Sequence, residues 1–190
     1  MGHSRAEKAE SYDRIVRVAA ERFREQGVDG IGLADLMRQA GLTHGGFYRH
    51  FASRDELVVA AIERALGQGS RAVEAVAKIK GAPLDAVVDG YLSAAHRDTL
   101  ATSCAVTTLA ADVARSNDRA RSAYTRQVGI YLELLTRLIA GNKQKARRRK
   151  AIAALSTLVG ALSMARAVND EELSQEILRS AADELKAQLT

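Results

Sequence analysis

Residues 41–51 read GLTHGGFYRHF, from Gly41 to Phe51, and this stretch decides how the chain is read. Two adjacent glycines, Gly45 and Gly46, precede a dense group of aromatic and basic side chains. Glycine costs a helix interior about 1 kcal/mol relative to alanine. A short helix that accepts two of them needs a reason for a bare backbone.

The flanks supply one. Upstream, a helix is expected over Leu33 to Ala40, with Leu36 and Ala40 facing inward and Gly41 ending it. Downstream, Thr43 is placed to cap a helix over His44 to Phe51, in which Phe47 and Phe51 share the core-facing side. A short helix, a tight turn with glycine and a second short helix form a helix-turn-helix, whose second helix offers its N-terminal residues to base edges in the major groove. Those residues are His44, Gly45 and Gly46, and the glycine pair removes bulk where backbone would approach DNA. His44 and Tyr48 stand four residues apart on one face, with Arg49 and His50 beside them, a set able to contact phosphate or bases. A surface loop with an ordinary surface histidine is the bland alternative.

Helix signals continue in both directions. The first helix is expected from about Ala6 to Gln26, with Ser4 and Glu7 at capping-box spacing and Gly27 as its stop. Ser53 and Glu56 repeat that spacing and open a fourth helix from Arg54 to about Lys78. Gly81-Ala82-Pro83 punctuates the chain, and a fifth helix is expected from Pro83 to about Thr99. Residues 103–115 and 117–140 read as the sixth and seventh, with Asn117 a cap for the latter, and Gly141-Asn142 as a turn. An eighth is expected from about Lys145 to Val168, and Asn169 to cap a ninth that opens on Asp170, Glu171 and Glu172. The expectation is an all-α chain of about nine helices.

Composition bounds the function. The 190 residues are 47% hydrophobic but only 4% aromatic, with one proline and no tryptophan. A single cysteine, Cys104, excludes a disulfide framework or a Cys-rich metal site and fits a reducing cytoplasm. No basic start leads into an apolar run, so no signal peptide is expected, and apolar stretches read as too short for a bilayer. The reading is therefore cytoplasmic, with no membrane partner. No phosphate-binding loop or metal-ligand cluster appears, and Cys104 with His96 lacks an orienting carboxylate. An enzyme, a metal site and a cofactor are therefore not expected. Charge is uneven. Residues 1–64 balance 10 basic against 10 acidic side chains, whereas residues 115–150 carry 11 basic and 2 acidic. The run NKQKARRRK, Asn142 to Lys150, opens a rival reading, non-specific nucleic-acid binding through residues 142–150, against the plainer one of a solvated loop.

DLMRQAGLTHGGFYRHFASRDEL (residues 35–57), with AAERFREQGVDGIGLADL (residues 19–36) upstream, resembles the N-terminal DNA-binding domain of TetR-family transcriptional regulators. The resemblance covers roughly residues 8–68, with the helix-turn-helix at 32–51, and leaves 69–190 as an effector-binding and dimerisation domain. It implies phosphate contacts from Thr43 and Tyr48, base contact from His44, and backbone contacts from His50 and Arg54. It implies a repressor of palindromic double-stranded operator DNA, a homodimer, and release by a small-molecule or electrophile effector. Gly32 departs from the Ser or Thr common at that cap.

The last two expected helices carry apolar positions for a dimer interface, including Leu155, Val159, Leu162, Ile177, Leu178 and Leu185, which could equally serve the core of one chain. Candidate pocket residues are Tyr91, His96, Leu100, Cys104, Leu109, Tyr124, Val128 and Tyr131, each of which could instead be core. Thr102 or Ser103 would cap the sixth helix and place Cys104 in its first turn, where a helix N-terminus favours thiolate. The segment SCAVTTLAADVARSNDRAR (residues 103–121) resembles a TetR branch that includes electrophile- and oxidant-responsive repressors. A buried structural cysteine is the alternative.

Overall fold

The computed structural model describes residues 5–77 and 84–189. The expected Ser4 cap, Lys78 and Gly81-Ala82-Pro83 lie outside them. Among the described residues the chain is helical throughout, with ten α-helices and two 3-10 segments.

Helix α1 spans Arg5–Gln26 and buries Ile15, Val16, Ala19 and Phe23 on one face. Gly27 ends it at φ 77° and donates to the Phe23 carbonyl at 2.9 Å. Helix α2 spans Leu33–Gln39 from Gly32, which offers no side-chain cap. Its end is a Schellman turn. Gly41, at φ 70°, donates to the Arg38 carbonyl at 2.9 Å, and Leu42 donates to the Met37 carbonyl at 2.9 Å. Helix α3 spans Arg54–Ala77. Its capping box forms, with Glu56 N–H donating to Ser53 Oγ at 3.2 Å, and Glu56 Oε2 reaching back to Ala52 N–H at 2.7 Å.

Beyond α3 the sequence expectation needs correcting in four places. The helix expected from Pro83 to Thr99 is two, α4 (Leu84–Tyr91) and α5 (Ala94–Asp98), because Ser93 restarts the helix by accepting from His96 N–H at 3.1 Å. A 3-10 turn, Leu100–Thr102, follows. The helix expected over 103–115 is also broken, into α6 (Ala105–Thr108) and α7 (Ala110–Ala114), at the fully buried Leu109. Cys104 is therefore the residue before α6, not part of its first turn, and a four-residue helix gives it no dipole worth the name. Helix α8 spans Asp118–Leu138 with Asn117 as its cap, accepting from Ala120 N–H at 3.1 Å. Helices α9 (Gln144–Ala167) and α10 (Glu171–Leu189) close the chain. Asp170, not Asn169, caps α10, its carboxylate accepting from Leu173 N–H at 3.0 Å.

Two hydrophobic clusters hold the fold. One runs from Ile15 through Phe47, Phe51, Leu57 and Ile62 to Val106, Leu109 and Ala123, so α6 and α7 share a core with α1 to α3. The core does not break at residue 68. The other joins α4, α8, α9 and α10, and Val128, Tyr131 and Val159 pack against both. Ser70 donates to Gln127 at 2.6 Å and Arg119 pairs with Glu63 at 2.7 Å, so α8 runs in the same direction as α3.

The second cluster shows what covers the apolar stripes of α9 and α10 within one chain. Leu155, Leu162, Leu178 and Leu185 are all buried within the chain, and Val159 and Ile177 are partly covered by it. The apolar side chains left outside on these helices are Ile152, Met164 and Leu173, 47%, 56% and 42% exposed. Helix α9 also corrects the membrane expectation in the narrow sense. It is 24 residues long with a mean hydropathy of 1.2 in its most apolar window, enough in length and composition to cross a bilayer. Here its apolar face is covered by α8 and α10.

Candidate functional site

The segment expected as an α-helix over His44–Phe51 is a 3-10 helix, His44–Arg49. Gly46 donates to the Thr43 carbonyl at 3.0 Å and His50 to the Phe47 carbonyl at 2.9 Å. Six residues with two glycines are too short and too weakly helical for sustained α geometry, and short pieces take 3-10 bonding. Aromatic packing fixes it instead. Phe47 and Phe51 are 1% and 2% exposed and stack at 5.4 Å, and Tyr12 of α1 stacks on Phe51 at 4.9 Å.

This anchoring turns the polar side chains outward. Thr43, His44, Gly45, Tyr48 and Arg49 are exposed, Tyr48 to 67%, and the His44 and Tyr48 rings meet edge to face at 6.4 Å. Thr43 stands at the cap position with extended backbone, but its side chain makes no capping bond, contrary to expectation. The fold does not require the glycine pair. A Cβ at Gly45 would meet nothing within 4 Å, and one at Gly46 would sit 3.6 Å from Thr43 Oγ1. His50 is half-buried over Arg5, Lys8 and Tyr12, and its Nδ1 has no partner. Burial, then Lys8 and Arg49, lowers its pKa below the ordinary histidine value.

In the DNA-free chain Arg54 is engaged within the fold. It donates to the Val28 and Ile31 carbonyls at 2.6 and 3.2 Å and pairs with Asp29 at 3.2 Å. It ties the loop between α1 and α2 to the start of α3. Asp112 of α7 holds the same loop, accepting from Val28 N–H at 3.1 Å.

The basic residues from Lys143 to Lys150 begin α9, just beyond the C-terminal end of α8. Since α8 runs with α3, away from Arg54, this run lies a helix length of about 30 Å from the level of Asn117.

A cavity of about 490 Å³ lies among α3, α4, α8 and α9. Tyr91, His96, Cys104 and Tyr131 line it, with Gln68, Gly69, Leu134, Leu135, Leu155 and Leu158. Leu109 is core, Tyr124 donates to the Val106 carbonyl at 2.8 Å, Val128 packs between the two clusters, and Leu100 faces a separate groove beside Arg97 and Arg166. Gly69 was a readable clue. A Cβ there would stand 2.3 Å from Tyr131 Oη, so the bare backbone admits the phenol.

The polar end of the cavity is ordered by His96. Its Nδ1 faces the Tyr91 carbonyl at 2.7 Å, so Nδ1 carries the proton and donates. Its Nε2 then accepts from Cys104 N–H at 3.2 Å and faces Ser103 Oγ at 3.0 Å. Burial lowers the His96 pKa, the Tyr91 bond partly restores it, and Arg166 lowers it again, so the ring is neutral near pH 7. Arg166 donates to Ser103 Oγ and to the His96 carbonyl, both at 2.6 Å. Cys104 Sγ lies 3.5 Å from Tyr131 Oη, and burial, then Cys104, pushes the Tyr131 phenol well above its ordinary range.

Comparison with known proteins follows the same division. The statistical model of the family described as bacterial regulatory proteins, tetR family, matches residues 15–61. The uncharacterized HTH-type transcriptional regulator YvdT of Bacillus subtilis is 34% identical over 55 residues, which are 29% of this chain and 28% of that protein's own length. The fold matches more widely. A TetR transcriptional regulator from Legionella pneumophila superposes with a TM-score of 0.78 at 15% identity, over 100% of this chain and 99% of that one. One from Chloroflexus aurantiacus gives 0.76 at 24% identity, over 95% and 96%. The reduced form of E. coli NemR gives 0.75 at 18% identity, over 93% and 95%. The family match thus covers residues 15–61, and the solved structures, each under 25% identical, show that the chain as a whole shares the all-α fold of these regulators.

Proposed function

We propose that the chain is a repressor that binds a palindromic operator as a homodimer and lets go when its cavity is occupied or Cys104 is modified. The carrying observation is the His44–Arg49 segment, anchored by Phe47 yet exposing Thr43, His44, Gly45, Tyr48 and Arg49 around a glycine pair that internal packing does not need. Thr43 and Tyr48 would hold phosphates and His44 would face bases, with backbone approach at Gly45 and Gly46. His50, half-buried, would add a phosphate contact at the edge. The dimer would form on the outer face of α9 and α10, where Ile152, Met164 and Leu173 stand exposed, and would set two reading segments about one DNA turn apart. Cys104 opens onto the cavity, so an electrophile that enters can reach its sulfur.

Fluorescence anisotropy with a duplex from upstream of the gene, against a scrambled duplex, tests this directly. The repressor reading expects selective, salt-sensitive binding that weakens after alkylation by N-ethylmaleimide in the wild type but not in Cys104→Ser. Equal affinity for both duplexes, lost when residues 145–150 are neutralised, would instead favour non-specific binding by the basic run. The distance of that run from the His44–Arg49 segment argues for the first outcome.

A further inference from the structure

Three features of the cavity bear on what enters it. Its walls are mainly apolar, with Ala65, Val87, Leu134, Leu135, Leu155 and Leu158 forming most of them. Among the described residues, none of those lining it is an Asp, Glu, Lys or Arg. Its polar wall is backed by two guanidinium groups, each one hydrogen bond behind a lining side chain. Arg24 Nη1 donates to Gln68 Oε1 at 2.6 Å, and Arg166 Nη2 donates to Ser103 Oγ at 2.6 Å.

Arg24 is the unusual member. It is only 3% exposed, at the C-terminal end of α1 where the Leu100–Thr102 turn packs. Its Nε and Nη2 are buried without a partner, as is Nη1 of Arg166. A buried guanidinium keeps its charge, and its usual company is a carboxylate. Here the direct partner of Arg24 is a neutral amide, while Glu21 and Glu25 act only at longer range. Burial accordingly pulls the Arg24 pKa below its ordinary range.

The hydrogen-bonding capacity left on the lining has the matching sign. Gln68 has its carbonyl oxygen turned to Arg24, which leaves its amide N–H groups to donate. The Nε2 of His96 already accepts from Cys104 N–H, and the ring is otherwise a donor to the Tyr91 carbonyl. The Tyr131 phenol keeps its proton. The wall thus offers donors at Gln68 and lies in the field of two cations.

We propose that the cavity takes an amphiphilic carboxylate, an apolar chain or ring bearing one acid group, with the acid beside Gln68 in the field of Arg24 and the apolar part among the leucines of α8 and α9. This deepens the effector reading above and rests on it. Arg24 acts as a specificity-determining residue, through its charge and through the orientation of Gln68.

Isothermal titration of the full-length protein with three ten-carbon probes, decanoate, 1-decanol and decylamine, tests the assignment. Decanoate is expected to bind tighter than 1-decanol by about tenfold or more, with protonated decylamine weakest. Arg24→Met should bring decanoate down to the level of 1-decanol while leaving 1-decanol unchanged. Gln68→Leu, whose change lies in the cavity wall, should lower the preference in the same direction if Arg24→Met does not fold. Equal or reversed preference in the wild type overturns the carboxylate class but keeps the cavity as an effector site. A preference that survives both substitutions overturns the role of Arg24. Binding of none of the three, in protein that still retards operator DNA, overturns the effector reading as well.

Discussion

Arg54 Nη2 donates to the Val28 carbonyl at 2.6 Å, and this bond, with those to Ile31 and Asp29, makes α3 the support on which the loop between α1 and α2 rests. Replacing Arg54 with Met should therefore destabilise the DNA-free protein by about 1–2 kcal/mol, since hydrogen bonds from a charged donor are involved but the side chain is partly solvated. A thermal melt reads this as a fall of a few degrees. An unchanged melting temperature with weakened DNA binding would mean that Arg54 serves phosphate alone.

Gly45→Ala separates fold from function. Its new Cβ meets nothing within 4 Å and the backbone there is not left-handed, so the protein should be as stable as before or gain up to about 1 kcal/mol. Operator affinity should nevertheless fall by about tenfold or more if backbone approach at this point matters. Gly41→Ala is the contrasting control, because φ 70° there strains any side chain by about 1–2 kcal/mol.

Met164 and Leu162 are two residues apart on α9 and should fail in different ways. Leu162 is fully buried within the chain, so Leu162→Glu should abolish folding, seen as lost helical circular dichroism. Met164 is 56% exposed, so Met164→Glu should leave the helices intact and convert a dimer to monomers in sedimentation velocity. A monomeric wild type would remove the dimer from the proposal.

His96 sets a pH dependence. Its folded pKa is lowered by burial, so the unfolded chain binds more protons in the window just below the ordinary histidine value of about 6.5. The contribution to stability is complete above about 6.5 and is lost as pH falls from there toward the folded pKa. His50 shifts in the same direction and adds to it. Urea midpoints measured from pH 8 down to pH 5 should decline, and His96→Asn should flatten part of that decline.

Much of this architecture is legible in the sequence because local rules dictate it. Gly27 and Gly41 end helices where only glycine takes positive φ cheaply, and Ser53, Glu56 and Asn117 cap as their spacing requires. The restart at Ser93 follows the same local capping rule and is legible in principle, whereas the break at Leu109 is not. Leu109 is a good helix former whose burial, not its propensity, interrupts the helix. Periodicity finds the apolar stripes of α9 and α10 but leaves open whether a partner or the chain itself covers Leu155, Leu162, Leu178 and Leu185, and within one chain the second cluster encloses them. The intramolecular bonds of Arg54 are hidden for a related reason. Its position fits a phosphate contact, and only the folded path of the loop at 28–31 gives it carbonyls to hold.

Phe47 under the His44–Arg49 segment and Ala65 in the cavity wall belong to one hydrophobic cluster. The reading unit is therefore not a detachable module. A fragment ended at residue 68 would leave Ile62, Ala65 and Leu66 without the side chains of α6 and α7 that complete their packing. In native-state hydrogen exchange, the amides of α1 and α6 should open together as one cooperative block, and the protein should lose its grip on DNA in the same event that empties its cavity walls.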